Sequence, residues 1–394
     1  MRRIDESGDL DVLSSEVLSV LQFCNINEPF FPNLDTLELS GTTGWFLPFI
    51  PLFLSPRTTV ISITFDKSDF PKPIVASMVN TFPTLCPSLE VVCLQSLPRD
   101  PMIAAAVSEM LLATNRNTLK GVNVDSPLTE EACEVIYKLP DLSGLSMVIG
   151  EDTPLTPVVL PNLTILVVSY DHGSDWLQMF DGVTFGKLEI ITFHSGSKRN
   201  GDFLEEFERI TRTTSTRKTL LNFAFCASHP WRPGYRSLLP FTRLKELVIE
   251  FPCESNCSST IDDDTITDLA RAMPRLEILY LGEEPCRIPI GVTAKGLAAL
   301  AYHCRHLSEL RIHFEVDSLE LDPPEIPGVA PSGEPAIPQE DCALTELDVG
   351  KILVQEGAKP AVALCLLRIF PRIKHIKYSN RGWRGVADAI KLPK

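Results

Sequence analysis

Nowhere in the chain do about eighteen apolar residues run together, the length a helix needs to cross a bilayer. Residues 1–20 mix Arg2 and Arg3 with Asp5, Glu6, Asp9 and Asp11 and offer no apolar stretch of the kind a secretory signal carries. The 11 cysteines are an odd number without short regular spacings, which argues against a disulfide framework and for a reducing compartment, cytoplasmic or nuclear. Positive charge is in deficit: 36 Lys and Arg stand against 51 Asp and Glu, a net charge of -15 that repels phosphate backbones and anionic lipid. Catalytic signatures are missing too, with no G-x-S-x-G elbow, no G-x-x-x-x-G-K-[ST] phosphate loop and no H-E-x-x-H helix. The expectation is a monomer that is no enzyme, has no catalytic residue, and uses no cofactor or metal.

What the chain has is a repeat. The pattern L-x-x-L-x-L occurs at Leu34, Leu37 and Leu39, and again from Val60, Leu89, Leu119, Leu142, Leu163, Leu188, Leu220, Leu244, Leu276, Leu307, Leu344 and Ile373. At 44% hydrophobic content about 33 such windows would arise by chance, so the triplet needs a second mark. That mark is proline two residues before the triplet, at Pro32, Pro87, Pro140, Pro161, Pro274 and Pro371. With 32 prolines in 394 residues, about one in thirteen places would carry one by chance, so the six point to a common turn ahead of each strand.

Between the strands the apolar period changes to that of a helix. Ile266, Leu269, Ala270 and Met273 recur at i, i+3, i+4 and i+7 behind Asp262, Asp263 and Asp264, which suit a helix start better than a cation site. Leu297, Leu300, Ala301 and Cys304 repeat this spacing, as do Ala132, Val135, Ile136 and Leu139, and Val362, Cys365, Leu366 and Ile369. Strand-plus-helix units of this size cannot bury their apolar face singly, and stacking them predicts an α/β solenoid with a parallel sheet on its concave face and helices or irregular turns on its convex face. The predicted organisation is a capping segment over 1–30, with Val17, Leu18, Val20 and Leu21 as its helix, then about 13 repeats over 31–380 and a capping helix over 381–394. Trp383, Val386, Ala387 and Ile390 form the apolar stripe of that last helix. Within the solenoid, 315–341 carries eight acidic residues, no lysine or arginine and six prolines, and reads as a disordered insert.

The run from Gly291 through Cys304 to Leu310, together with the Phe-Pro-Asn-Leu and Met-Pro-Arg-Leu lead-ins and the Trp383 helix, resembles the leucine-rich-repeat region of F-box proteins, in particular the irregular repeats of the large fungal group. The resemblance implies a leucine-rich-repeat horseshoe and a role as the substrate-binding part of a ubiquitin-ligase receptor, with a Skp-type adaptor as partner if an F-box lies upstream. The F-box itself is not detected; only Leu13-Ser14-Ser15-Glu16-Val17-Leu18 echoes its opening.

Side chains alternate across a strand, so the residues between core leucines should line the concave face and contact a protein partner. In the middle of the chain these are apolar: Val91, Cys93, Ile165, Val167, Ile190, Val248, Ile278 and Tyr280. Toward the C-terminus they become Glu309, Arg311, His313, Glu346, Asp348, His375 and Lys377. An apolar stripe beside charges of both signs predicts protein recognition. Two further readings stay open: a free-standing scaffold or adaptor unrelated to ubiquitin, and, ranked last, nucleic-acid binding through Arg368, Arg372, Lys374, Lys377, Arg381, Arg384, Lys391 and Lys394. Cys253, Cys257, Cys286 and His229 are zinc-ligand types, but at loose spacing.

Overall fold

The computed structural model describes residues 3–5, 18–20, 29–42, 46–66, 70–150, 159–170, 184–196, 204, 207–208, 216–228, 234–251, 261–282, 291–319, 342–350 and 352–391. The chain divides into two compact units, Met1–His172 with Gln178–Leu188, and Gly173–Leu177 with Glu189–Lys394. Each is an α/β unit built on parallel strands.

In the first unit the strands are β1 (Arg3–Asp5), β2 (Thr36–Thr42), β3 (Val60–Phe65), β4 (Val91–Gln95), β5 (Gly121–Pro127), β6 (Gly144–Ile149), β7 (Val159–Leu160), β8 (Ile165–Tyr170) and β9 (Thr184–Phe185). β1 to β6 pair in chain order and β6 pairs with β8, all parallel, while β7 and β9 form a separate parallel pair. Among the described residues three helices of eight residues or more connect strands here, α1 (Lys72–Leu85), α2 (Pro101–Ala113) and α3 (Glu130–Tyr137), and a single turn at Ile50–Phe53 lies between β2 and β3. Local chemistry sets their starts. Asp100 accepts from the Met102 amide ahead of Pro101, and Thr129 accepts from the Ala132 amide.

The second unit holds β10 (Ile190–Ser195), β11 (Asn222–Ala227), β12 (Glu246–Glu250), β13 (Ile278–Leu281), β14 (Glu309–Arg311), β15 (Glu346–Gly350) and β16 (His375–Tyr378), paired in chain order and parallel throughout. Its longer described helices are α4 (Asp263–Ala272), α5 (Ala294–His303), α6 (Lys359–Ile369) and α7 (Arg384–Lys391).

The repeat explains the main strands of each unit. Twelve of the thirteen triplets start two residues before a strand, and each of their first residues, from Leu34 to Ile373, is buried. Five of the six prolines, all but Pro140, open a turn in which the core residue's amide bonds back to the carbonyl before the proline, as in Leu34 to Phe31 at 3.0 Å, Leu89 to Cys86 at 3.1 Å and Leu276 to Met273 at 3.2 Å. Proline fits there because its fixed φ suits the first inner position of a turn, and its missing N–H is not needed. Cys86 and Cys304 occupy the residue before that position. The Cys304 thiol lies 3.5 Å from the Met273 carbonyl of the preceding repeat, and burial pushes both thiols up to about 12, so they remain protonated at neutral pH.

The triplet placed at Val60 is corrected by the register. Val60 sits level with outward Thr36, and the leucine position falls on Thr58, fully buried with its hydroxyl donating to the Leu34 carbonyl at 3.0 Å. A search for apolar residues misses a hydroxyl whose polarity is satisfied by backbone. Two predicted boundaries also differ. Arg3–Asp5 form a strand on β2 within the expected N-terminal cap, where Leu18 is buried, Val20 is exposed, and Val17 and Leu21 lie outside the described residues. The start of the expected insert is folded: Val316–Leu319 make a 3-10 turn with Val316 and Leu319 buried, and Ser318 accepts from the Ala294 amide at 3.0 Å. Residues 320–341 lie outside the described set. The C-terminal stripe is buried as its spacing predicts, with Trp383, Val386, Ala387 and Ile390 all in the core.

One junction between neighbouring helices is carried by a carboxylate. Asp263, at the start of α4, accepts from the Thr293 amide at 2.8 Å, the Thr293 hydroxyl at 2.6 Å and the Gly296 amide at 2.9 Å, and so closes the N-terminus of α5. A Cβ at residue 296 would stand 2.5 Å from the same Asp263 oxygen. Asp263→Ala should therefore cost about 1.5–3 kcal/mol, the range for hydrogen bonds to a charged group. Gly296→Ala should cost about 1–3 kcal/mol by overpacking, but close to nothing once Asp263 is already alanine. A denaturation double-mutant cycle measures this; an unchanged Gly296→Ala penalty in the Asp263→Ala background would show that the carboxylate is not what bars the methyl group.

Candidate functional site

The face of each sheet that carries the outward positions is where function-bearing side chains would stand, because the alternate positions are consumed by the core. In the second unit the register sets Ile190, Asn222, Glu246, Ile278, Glu309, Glu346 and His375 side by side. Thr192, Ala224, Val248, Tyr280, Arg311, Asp348 and Lys377 form the next row, followed by His194, Cys226 and Glu250.

Arg311 is the centre of this face. Its Nη1 reaches Glu250 Oε1 at 2.8 Å, its Nε reaches Asp348 Oδ2 at 2.9 Å, and its guanidinium carbon lies 4.5 Å from the centre of the Tyr280 ring. Four strands in succession, β12 to β15, thus supply one cluster: a planar cation stacked on an aromatic ring and held at two edges by carboxylates. Partial burial works against the Arg311 charge, but the hydrogen bond and field of Asp348, with Glu250 behind them, raise its pKa above the ordinary value. The Tyr280 hydroxyl donates to Glu309. Burial, followed by that bond and the Glu309 charge, pushes the phenol pKa up, so Tyr280 stays a donor at any physiological pH.

At the C-terminal end Lys377 Nζ meets Glu346 Oε2 at 2.6 Å, which lowers the Glu346 pKa and raises that of Lys377. At the other end the Asn222 amide donates to Glu246. The cluster is half-buried: the side chains of Arg311, Glu250 and Asp348 are 29, 31 and 23% exposed, so they are held in place yet within reach of a partner.

Of the residues expected on this face, Tyr280, Glu309, Arg311, Asp348, Glu346 and Lys377 are brought together. Ile190, Val248 and Ile278 lie in the same rows but are half-buried, a narrower apolar stripe than the sequence suggests, and His375 is exposed. His313 is a correction. β14 ends at Arg311, and Ile312, His313 and Phe314 are all buried, so the period of two that assigned His313 outward has already lapsed. Ile165, 41% exposed, and Val167, half-buried, stand on the first unit's sheet in register with Gly144 and Ser146. Val91 and Cys93 lie on β4 of that sheet, half-buried.

Three participants escaped the sequence reading: Glu250, Asn222 and Glu246. Glu250 lies 61 residues from Arg311, on a strand two places away, and stands one position beyond the triplet that defined the repeat. The only signal for it was the continuation of the alternation past Val248.

On its helical side the first unit has a hollow of about 520 Å³ between α2 and α3, lined among others by Ser108, Glu109, Thr129, Glu130 and Glu134. The Ser108 hydroxyl accepts from the Thr129 amide at 3.0 Å and is engaged in packing the two helices together. Among the described residues no three His, Cys, Asp or Glu side chains are grouped to hold a metal, and Cys253, Cys257, Cys286 and His229 lie outside those residues. Asp262 caps α4 by accepting from the Thr265 amide at 2.8 Å. No described helix is long and apolar enough to cross a membrane.

Comparison of the chain with known protein families and with curated proteins finds no match. The functional reading therefore rests on this face and on the sequence.

Proposed function

We propose that the chain is a non-enzymatic leucine-rich-repeat solenoid of horseshoe type that recognises another protein on the outward face of its parallel strands. The carrying observation is the Arg311 cluster. Four adjacent strands contribute side chains to it, and holding Arg311 between Glu250, Asp348 and Tyr280 removes rotamer freedom that binding would otherwise have to suppress. Arginine and tyrosine are also the residue types that dominate binding energy at interfaces. We read the protein as the substrate-binding part of an F-box-type ubiquitin-ligase receptor, on the strength of the repeat resemblance around Gly291–Leu310. The alternative is a scaffold or adaptor outside ubiquitin transfer.

Quantitative affinity capture with the full chain and with Tyr280→Ala, which removes the ring beneath Arg311, tests the recognition reading. Partners of the wild type should fall at least tenfold in the variant while its melting temperature stays within a few degrees; unchanged capture would overturn the reading. Co-expression with a Skp-type adaptor tests the ubiquitin branch separately. Failure of the adaptor to co-purify with the full reading frame would leave the scaffold.

A further inference from the structure

Charge on the outward face of the second unit is unbalanced. Glu246, Glu250, Glu309, Glu346 and Asp348 supply five carboxylates against two cations, Arg311 and Lys377. Both cations are occupied: Glu250 and Asp348 share Arg311, and Glu346 holds Lys377. Among the described residues Glu246 and Glu309 take their hydrogen bonds from neutral donors, the Asn222 amide and the Tyr280 hydroxyl, and neither is in an ion pair, although the Lys377 charge acts on Glu309 from two strands away. The two carboxylates are one strand either side of Ile278 in the same row, hence roughly 10 Å apart, with the half-buried isoleucine between them.

We infer that the partner presents a basic segment to this face, seating a lysine or arginine over Ile278 between Glu246 and Glu309; this rests on the recognition reading above. A long basic side chain has an apolar stem and a charged head, matching an aliphatic floor with a carboxylate at either side. The competing chemistries fit poorly. An acidic or phosphorylated segment would meet a net negative surface whose two cations are already held. An apolar one would strip water from Glu246 and Glu309 and return no hydrogen bond.

The test uses the full chain and two fluorescein-labelled peptides, four repeats of Lys-Thr-Val and the same peptide with Glu in place of Lys, followed by anisotropy at physiological salt. Because the chain carries a net charge of -15, a basic peptide will be attracted everywhere, and position must be shown. Glu246→Gln with Glu309→Gln should weaken the basic peptide at least tenfold; Glu109→Gln with Glu134→Gln, on the α2–α3 hollow, should change it less than twofold. Both double variants keep side-chain shape, and their melting curves confirm folding. Equal losses in the two variants, tighter binding of the acidic peptide, or no binding of the basic peptide would each overturn the inference. The Tyr280→Ala capture experiment changes no charge and is read on whatever partner the chain takes, so failure of the basic-segment inference and failure of protein recognition are read separately.

Discussion

Trp383→Ala should destabilise the protein by about 3–5 kcal/mol, the usual cost of emptying a large aromatic site. Trp383 is fully buried at the end of the Arg381–Trp383 turn that leads into α7, with its indole N–H donating to the Ile352 carbonyl at 2.8 Å and its ring edge-on to Phe314. The preceding strand β16 is thinly covered, since its inward residue Ile376 is only half-buried. Trp383→Phe keeps a ring but orphans the Ile352 carbonyl, and should cost about 1–3 kcal/mol. Chemical denaturation measures both. A loss below about 1 kcal/mol for the alanine variant would mean that α7 does not close the apolar end of the unit.

Leu279→Ala should cost about 2–5 kcal/mol, whereas Tyr280→Ala, its neighbour in β13, should cost about 1 kcal/mol and act on binding instead. Leu279 is fully buried, in register with Leu247 and Leu310, so its loss leaves a cavity between three strands. Tyr280 is outward and half-buried; truncating it removes the ring beneath Arg311 and the donor to Glu309 without opening the core. Thermal melts of the pair decide the register. Equal losses would mean that the outward and inward rows have been exchanged, since a one-residue slip moves every side chain to the other face.

Much of this architecture was legible because its determinants are local. A leucine two residues before the strand, a proline-opened turn before the leucine, and alternation after it are all properties of a dozen consecutive residues, and the triplets at Leu276 and Leu307 could be read without knowing what surrounds them. The helix stripes at Ile266–Met273 and Trp383–Ile390 were legible for the same reason. Thr58 was not. Its hydroxyl is acceptable in the core because the Leu34 carbonyl, 24 residues away, accepts its hydrogen bond. His313 was misplaced because alternation holds only while the chain stays in a strand, and where β14 stops is decided by what packs around Ile312 and Phe314.

The candidate site divides along the same line. Sequence by itself indicated which residues could face outward for as long as each strand lasts, since the period of a strand assigns every second side chain to one face. Only the tertiary structure decided who meets whom. Glu250, Arg311 and Asp348 come from strands separated by tens of residues, and their pairing follows from the register of parallel strands, in which each residue's lateral neighbours lie one whole repeat away. The length of each repeat varies with its helix or turn, so that register cannot be counted off along the chain. It is set when successive cores stack, and with it which carboxylates meet a cation and which two, Glu246 and Glu309, are hydrogen-bonded by neutral donors.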